Sequence, residues 1–175
     1  MTIGSDIGVR GEVYTSPDGS MFVEDLKDEQ GNIYRQVIFS SKPEQIQSEV
    51  ILVYRNPGKG NISENLKVQS TIAPKKKQRT LVVNHELLCS EYQYAMLAGL
   101  SLTTKLSEKP AVRVLVLGTG AGLLPMFLRN QLGDKLKELV TVDINPEIVK
   151  VAKEYFGFLE DDKVKSVIGD AYQFV

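Results

Sequence analysis

Three glycines at alternate positions, Gly118, Gly120 and Gly122, separate the apolar run Val112–Leu117 from a second apolar run that begins at Leu123. A turn of this kind lets the backbone come close to a ligand, because glycine has no Cβ and accepts left-handed φ values. Two carboxylates stand where they can complete a nucleoside site. Asp143 ends the run "ELVTVDI" and can accept hydrogen bonds from two ribose hydroxyls; Asp170, in Gly169-Asp170-Ala171, can accept one from an adenine amino group. With Thr119, Ile144 and Ala171 beside them, these residues outline a cofactor site of Gly118, Thr119, Gly120, Gly122, Asp143, Ile144, Asp170 and Ala171 along the carboxyl edge of a sheet, where open α/β folds bind ligands. A dinucleotide fingerprint is G-x-G-x-x-G, and its third glycine would fall at Leu123. S-adenosylmethionine has no phosphate to cradle. The residues therefore favour S-adenosylmethionine, or its decarboxylated relative, over a dinucleotide. The plainer readings are a tight turn for the glycines, a solvated strand end for Asp143 and a helix cap for Asp170, which can coexist with ligand binding.

The elements that must position these residues alternate strand and helix after Pro110. "VRVLVLG" has apolar residues at consecutive positions from Val114 to Leu117, as expected of a strand covered on both faces. Leu123–Leu132 reads as a helix with Pro125 in its first turn, where proline is tolerated. After the second strand, Asn145-Pro146-Glu147 supplies a cap, a first-turn proline and an acidic residue at the positive dipole end. Ile148, Val151, Ala152, Tyr155 and Phe156 form the buried face of that helix, and Gly157 suits its end. "VKSVIGD" is the third strand. This βαβαβ run implies a parallel sheet with right-handed crossovers.

Before residue 105 the pattern is β. "GEVYTSPDGSMFVEDL" places two arms around Ser16-Pro17-Asp18-Gly19, a hairpin signal. "NIYRQVIFS" and "SEVILVY" read as further strands, and "TLVV" as a short one. Residues 55–79, with Lys75-Lys76-Lys77, read as a flexible solvated loop. "HELLCSEYQYAMLAGLSLTT" has helical spacing, with Leu88, Tyr92, Met96 and Leu100 on one stripe and Asn84 or His85 as its cap. The expected organisation is a β-rich domain with its connecting helix over 1–105, then half of a Rossmann-like domain over 106–175.

The chain has 175 residues, 42% hydrophobic and 25% charged, with net charge -1. That is globular composition without the basic footprint of a nucleic-acid binder. The lone cysteine, Cys89, permits no internal disulfide, so a reducing, cytoplasmic setting is expected. The start of the chain lacks a signal-peptide core, and no apolar run approaches the roughly 18 residues that span a membrane. No metal site is expected. His85 and Cys89 read as packing residues rather than catalytic ones.

Several segments carry a resemblance: "GSDIGVR" (Gly4 to Arg10), "YRQVIFSSKPEQIQSE", "LLCSEYQYAMLAGLSL", "LVLGTGAGLLPMF" and "VDINPEIVKVAKEYFGF". The chain resembles, nearly end to end, the C-terminal domain of the elongation-factor-one-alpha lysine and N-terminal methyltransferases, of the methyltransferase-like family. The resemblance implies a spermidine-synthase-like fold: a small antiparallel β-domain before a class I methyltransferase sheet. It also implies S-adenosylmethionine as cofactor, and methylation of the N-terminal amine, or a lysine, of translation elongation factor one-alpha. Glu91, Tyr92 and Tyr94 could reach the cofactor by the same analogy. Spermidine synthases themselves carry "D-E-F-x-Y-H-E" before the glycine turn. Here Ala95 and Met96 replace the histidine and glutamate, and Ala121 replaces an acidic residue of the turn. Those losses argue against aminopropyl transfer to a polycation.

Sheets of this class run 3-2-1-4-5-7-6, and this chain carries strands for 3-2-1. The expectation is a truncated domain, with catalytic residues beyond Val175 and none assigned here. Self-association or a second chain would complete the sheet, and a non-catalytic module of the same fold is the alternative.

Overall fold

The computed structural model describes residues 9–55, 80–104 and 106–175. Most of the Gly4–Arg10 segment and the loop expected over 55–79, with its lysine run, lie outside the described residues; Arg55 itself closes a strand. The chain divides into two compact units, Met1–Asn84 and His85–Val175.

The first unit is an antiparallel meander of five strands in sequence order: β1 (Val9–Thr15), β2 (Met21–Lys27), β3 (Ile33–Phe39), β4 (Ile46–Arg55) and β5 (Thr80–Val83). Its first two turns follow from local chemistry. Asp18 Oδ1 accepts hydrogen bonds from Ser16 Oγ (2.7 Å), Ser20 N–H (3.0 Å) and Ser20 Oγ (2.8 Å), and Gly19 takes φ +67. These donors, Ser16 first, hold the Asp18 carboxyl down at about 2. Gly31 takes φ +88 between β2 and β3, where the Asp28 carboxylate accepts from the Asn32 amide N–H and side chain, each at 2.7 Å.

One face of this sheet buries Met21, Val23, Ile33, Val37, Val50 and Leu52, each at most 4% exposed. The same face holds a charged pair that the strand pattern does not announce. Asp25 and Arg35 are register partners on β2 and β3, both 0% exposed. The guanidinium donates from Nε to Oδ1 (2.7 Å) and from Nη2 to Oδ2 (2.9 Å).

In the second unit, α1 (Glu91–Thr104) precedes a three-stranded parallel sheet of β6 (Val112–Leu117), β7 (Leu136–Asp143) and β8 (Val164–Ile168), in that spatial order. The crossovers are α2 (Leu123–Leu132) and α3 (Pro146–Tyr155), and α4 (Ala171–Phe174) follows β8. Asn145 caps α3, its side chain accepting from Glu147 N–H at 2.9 Å, with Pro146 as the first helical residue. Gly157 takes φ +68 just past the helix, and Phe158 N–H turns back to the Ala152 carbonyl at 3.0 Å. Along β6 the side chains alternate: Val116 is 7% exposed, whereas Leu115 and Leu117 are 45% and 53% exposed.

Three expectations about α1 need correction. The helix groups with the parallel sheet, since the compact units part between Asn84 and His85 rather than near 105. It begins at Glu91, so neither Asn84 nor His85 caps it. Asn84 N–H is still engaged by the Ile51 carbonyl (3.1 Å), extending the β4–β5 ladder. Finally, Tyr92 and Met96 are 58% and 53% exposed, while Gln93 is 8% exposed. Apolar residues occur all round this helix, so periodicity could not choose its inner face.

Candidate cofactor-binding site

Past the end of β6 the backbone takes left-handed φ at alternate residues: Gly118 at +88, Gly120 at +51 and Gly122 at +74. Residues other than glycine adopt these values rarely. The turn's amides are engaged by protein oxygens. Gly118 N–H donates to the Val142 carbonyl (2.7 Å), carrying the β6–β7 pairing past the strand end. Thr119 N–H and Gly120 N–H both donate to Asp143 Oδ2, at 2.8 and 3.2 Å. Gly122 N–H donates to the Thr119 carbonyl at 2.9 Å.

Asp143 therefore does more than await a ligand: its carboxylate fastens the glycine turn to the end of β7. Its other oxygen, Oδ1, accepts from Asn145 N–H at 3.0 Å and so joins the entry to α3 as well. The Asp143 carbonyl accepts from Gly169 N–H (2.9 Å), which brings the end of β8 alongside. Asp170 then caps α4, with Oδ1 accepting from Tyr172 N–H at 2.9 Å. The eight residues singled out in the sequence thus lie along one edge, and direct hydrogen bonds join the turn to Asp143. Ile144 is 72% exposed. Thr119 is 4% exposed, its hydroxyl turned toward Thr141 Oγ1 at 2.9 Å.

Two residues that the sequence reading passed over support the turn. Thr141 on β7 is 0% exposed and pairs with Thr119. Phe158, 1% exposed, lies beneath Gly122: a Cβ there would meet the Phe158 Cβ at 2.7 Å and its ring at 2.8 Å. The third glycine is fixed at 122 by this close approach. At Gly118 an added Cβ would meet nothing within 4 Å, so the mouth of the turn is open.

The amides of residues 118, 119, 120 and 122 are directed at protein acceptors. A carboxylate offers about four lone-pair sites. Asp143 accepts from three amides, which leaves it able to accept from a hydroxyl. The residues fit the adenosine part of S-adenosylmethionine. Among the described residues, no group of three or more His, Cys, Asp or Glu is placed to hold a metal, and no helix is long and apolar enough to cross a membrane.

His85 lies in the segment before α1. Its Nε2 donates to the Phe156 carbonyl at 2.8 Å, which a neutral ring can do. Burial lowers its pKa below the ordinary 6.5, the hydrogen bond opposing in part. The unfolded chain therefore binds more protons than the folded one below about pH 6.5. Stability should fall as pH drops from about 7.5 through that value, and His85→Gln should flatten the dependence. Thermal midpoints across this range check it; an equal slope in both proteins would count against the assignment.

With this geometry in view, the fold defines a class. It is the spermidine-synthase-like form of the class I methyltransferase fold: a probable spermidine synthase from Corynebacterium glutamicum matches 95% of this chain and 46% of its own, with TM-score 0.57 and 13% identity. No protein-family model matches the chain. In sequence, the chain is similar along its whole length to the human eEF1A lysine and N-terminal methyltransferase, 29% identical over 192 residues. That alignment covers 100% of this chain and 26% of the relative, so the chain spans about a quarter of the curated protein it matches. The structure of human Methyltransferase-like protein 13 in complex with SAH is 33% identical, over 49% of this chain and 39% of its own, with TM-score 0.44.

Proposed function

We propose that this chain forms the S-adenosylmethionine-binding part of a protein N-methyltransferase. The acceptor is the N-terminal amine, or a lysine, of translation elongation factor one-alpha. One observation carries the cofactor assignment: Asp143 ends β7 beside the glycine turn and keeps room to accept from a ribose hydroxyl. The third glycine at 122 rather than 123, set over Phe158, supports a ligand other than a dinucleotide. The acceptor assignment is supported by full-length similarity to relatives named eEF1A lysine and N-terminal methyltransferase.

When bound, S-adenosylmethionine supplies an electrophilic methyl group on its sulfonium. The chain's own residues hold and align the adenosine. Asp143 accepts from a ribose hydroxyl, Asp170 accepts from the adenine amino group, and Ile144 and Ala171 flank the base. Gly118 and Gly120 let the backbone approach the methionine part. An α-amino group, with an ordinary pKa of about 7.7–8.0, is substantially neutral near pH 7.5, so little base catalysis is required. No catalytic residue is assigned among the described ones. The lone Cys89 is in keeping with a reducing cytoplasm.

Aminopropyl transfer is the weaker reading. Ala121 stands in the turn where spermidine synthases carry an acidic residue, and it is 1% exposed. That leaves no carboxylate at this position to meet a polyamine.

Calorimetry on the intact protein tests the proposal. S-adenosylmethionine should bind, and Asp143→Ala should weaken it about 10- to 100-fold, as loss of charge-assisted hydrogen bonds implies. Equal affinity in the variant, or displacement by a nicotinamide dinucleotide, would refute the assignment.

A further inference from the structure

We infer that Thr141 is a positioning residue for the cofactor turn, acting through Thr119; this rests on the S-adenosylmethionine reading above. Thr141 and Asp143 stand two residues apart on β7 and so project from the same face of the sheet. Both grip Thr119. Asp143 Oδ2 takes its N–H at 2.8 Å, and Thr141 Oγ1 meets its hydroxyl at 2.9 Å. Thr119 is thereby held at backbone and side chain, and its neighbour Gly120 donates to the same carboxylate oxygen at 3.2 Å. Position 119 sits between two glycines in left-handed conformations, which have no side chains of their own to brace the turn. A clamp at that point fixes where the Gly118–Gly120 backbone stands and which way Asp143 faces.

Burial makes the hydroxyl pair matter. Thr141 is 0% and Thr119 is 4% exposed, so water cannot replace a lost partner at low cost. Removing one hydroxyl leaves the other unpaired, whereas removing both leaves two apolar groups of similar shape in contact. The turn should then shift in the single variants and return in the double variant. Asp143 orients the ligand directly; Thr141 acts at one remove.

The test is S-adenosylhomocysteine affinity, by calorimetry on the intact protein, read beside thermal midpoints. Thr141→Val should weaken binding about tenfold. Thr141→Ser, which keeps the hydroxyl, should restore most of the affinity. Thr141→Val with Thr119→Val should bind more tightly than Thr141→Val alone. If Thr141→Val does not fold, Thr119→Val carries the same comparison with the double variant. A lowered midpoint with unchanged affinity would make Thr141 merely structural and overturn the inference. Failure of the unsubstituted protein to bind would overturn the cofactor reading together with it, so the two failures are distinguishable.

Discussion

Gly122→Ala is expected to destabilise the protein by about 2–5 kcal/mol, the sum of left-handed backbone strain and overpacking in a closed site. Both causes are visible at this residue. Its φ is +74, and the new methyl would stand 2.7 Å from the Phe158 Cβ, closer than any relaxed contact. Phe158 cannot step aside: it is 1% exposed, and its N–H is tied to the Ala152 carbonyl at 3.0 Å. The turn must therefore move, taking with it the Thr119 and Gly120 amides that reach Asp143. Cofactor affinity should fall with stability. Gly118→Ala is the control: it has φ +88 but open space, so backbone strain of about 1–2 kcal/mol is all it should incur. Denaturant unfolding of the two variants checks the difference. Equal losses would mean that Phe158 does not set the third glycine. A cycle with Phe158→Ala should be strongly non-additive, because the two residues touch.

The contrast between these glycines shows what the sequence could and could not disclose. A strand, three alternate glycines, a helix with Pro125 in its first turn, and the Asn145-Pro146-Glu147 start of α3 are local signals, each complete within a few residues. They located the turn and Asp143. Phe158 carries no such mark, since an aromatic residue after a helix reads as ordinary core. Only the folded chain brings it beneath Gly122. Thr141 is hidden in the same way: inside "ELVTVDI" a threonine is an unremarkable strand residue until its partner across the sheet end is known. The start of α1 is hidden in the sequence for another reason. Asn84 is a fair cap in isolation, but residues 85–90 are not helical and α1 opens only at Glu91, too far along the chain for that side chain to cap.

The N-terminal sheet offers the other large effect. Asp25→Leu should cost about 3–5 kcal/mol, because it leaves the Arg35 guanidinium charged and buried without its counter-ion. Both side chains are 0% exposed and joined by two hydrogen bonds of 2.7 and 2.9 Å. Around them on the same face are Val23, Ile33, Val37 and Val50, none more than 2% exposed, so an unpaired charge has no cheap route to water. Removing both charges is a different operation. Asp25→Leu with Arg35→Met keeps roughly the original volume and removes the desolvation of two ions, so it should recover most of the loss. Stability curves in urea for the two single variants and the double variant make the measurement, each analysed at constant slope. Additive losses would show that the residues stabilise the sheet separately and would defeat the pairing argument. Recovery would show instead that the pair contributes little net stability. Asp25 lies opposite Arg35 only when β2 and β3 align as observed, since a slip of one residue would put the two charges on opposite faces of the sheet.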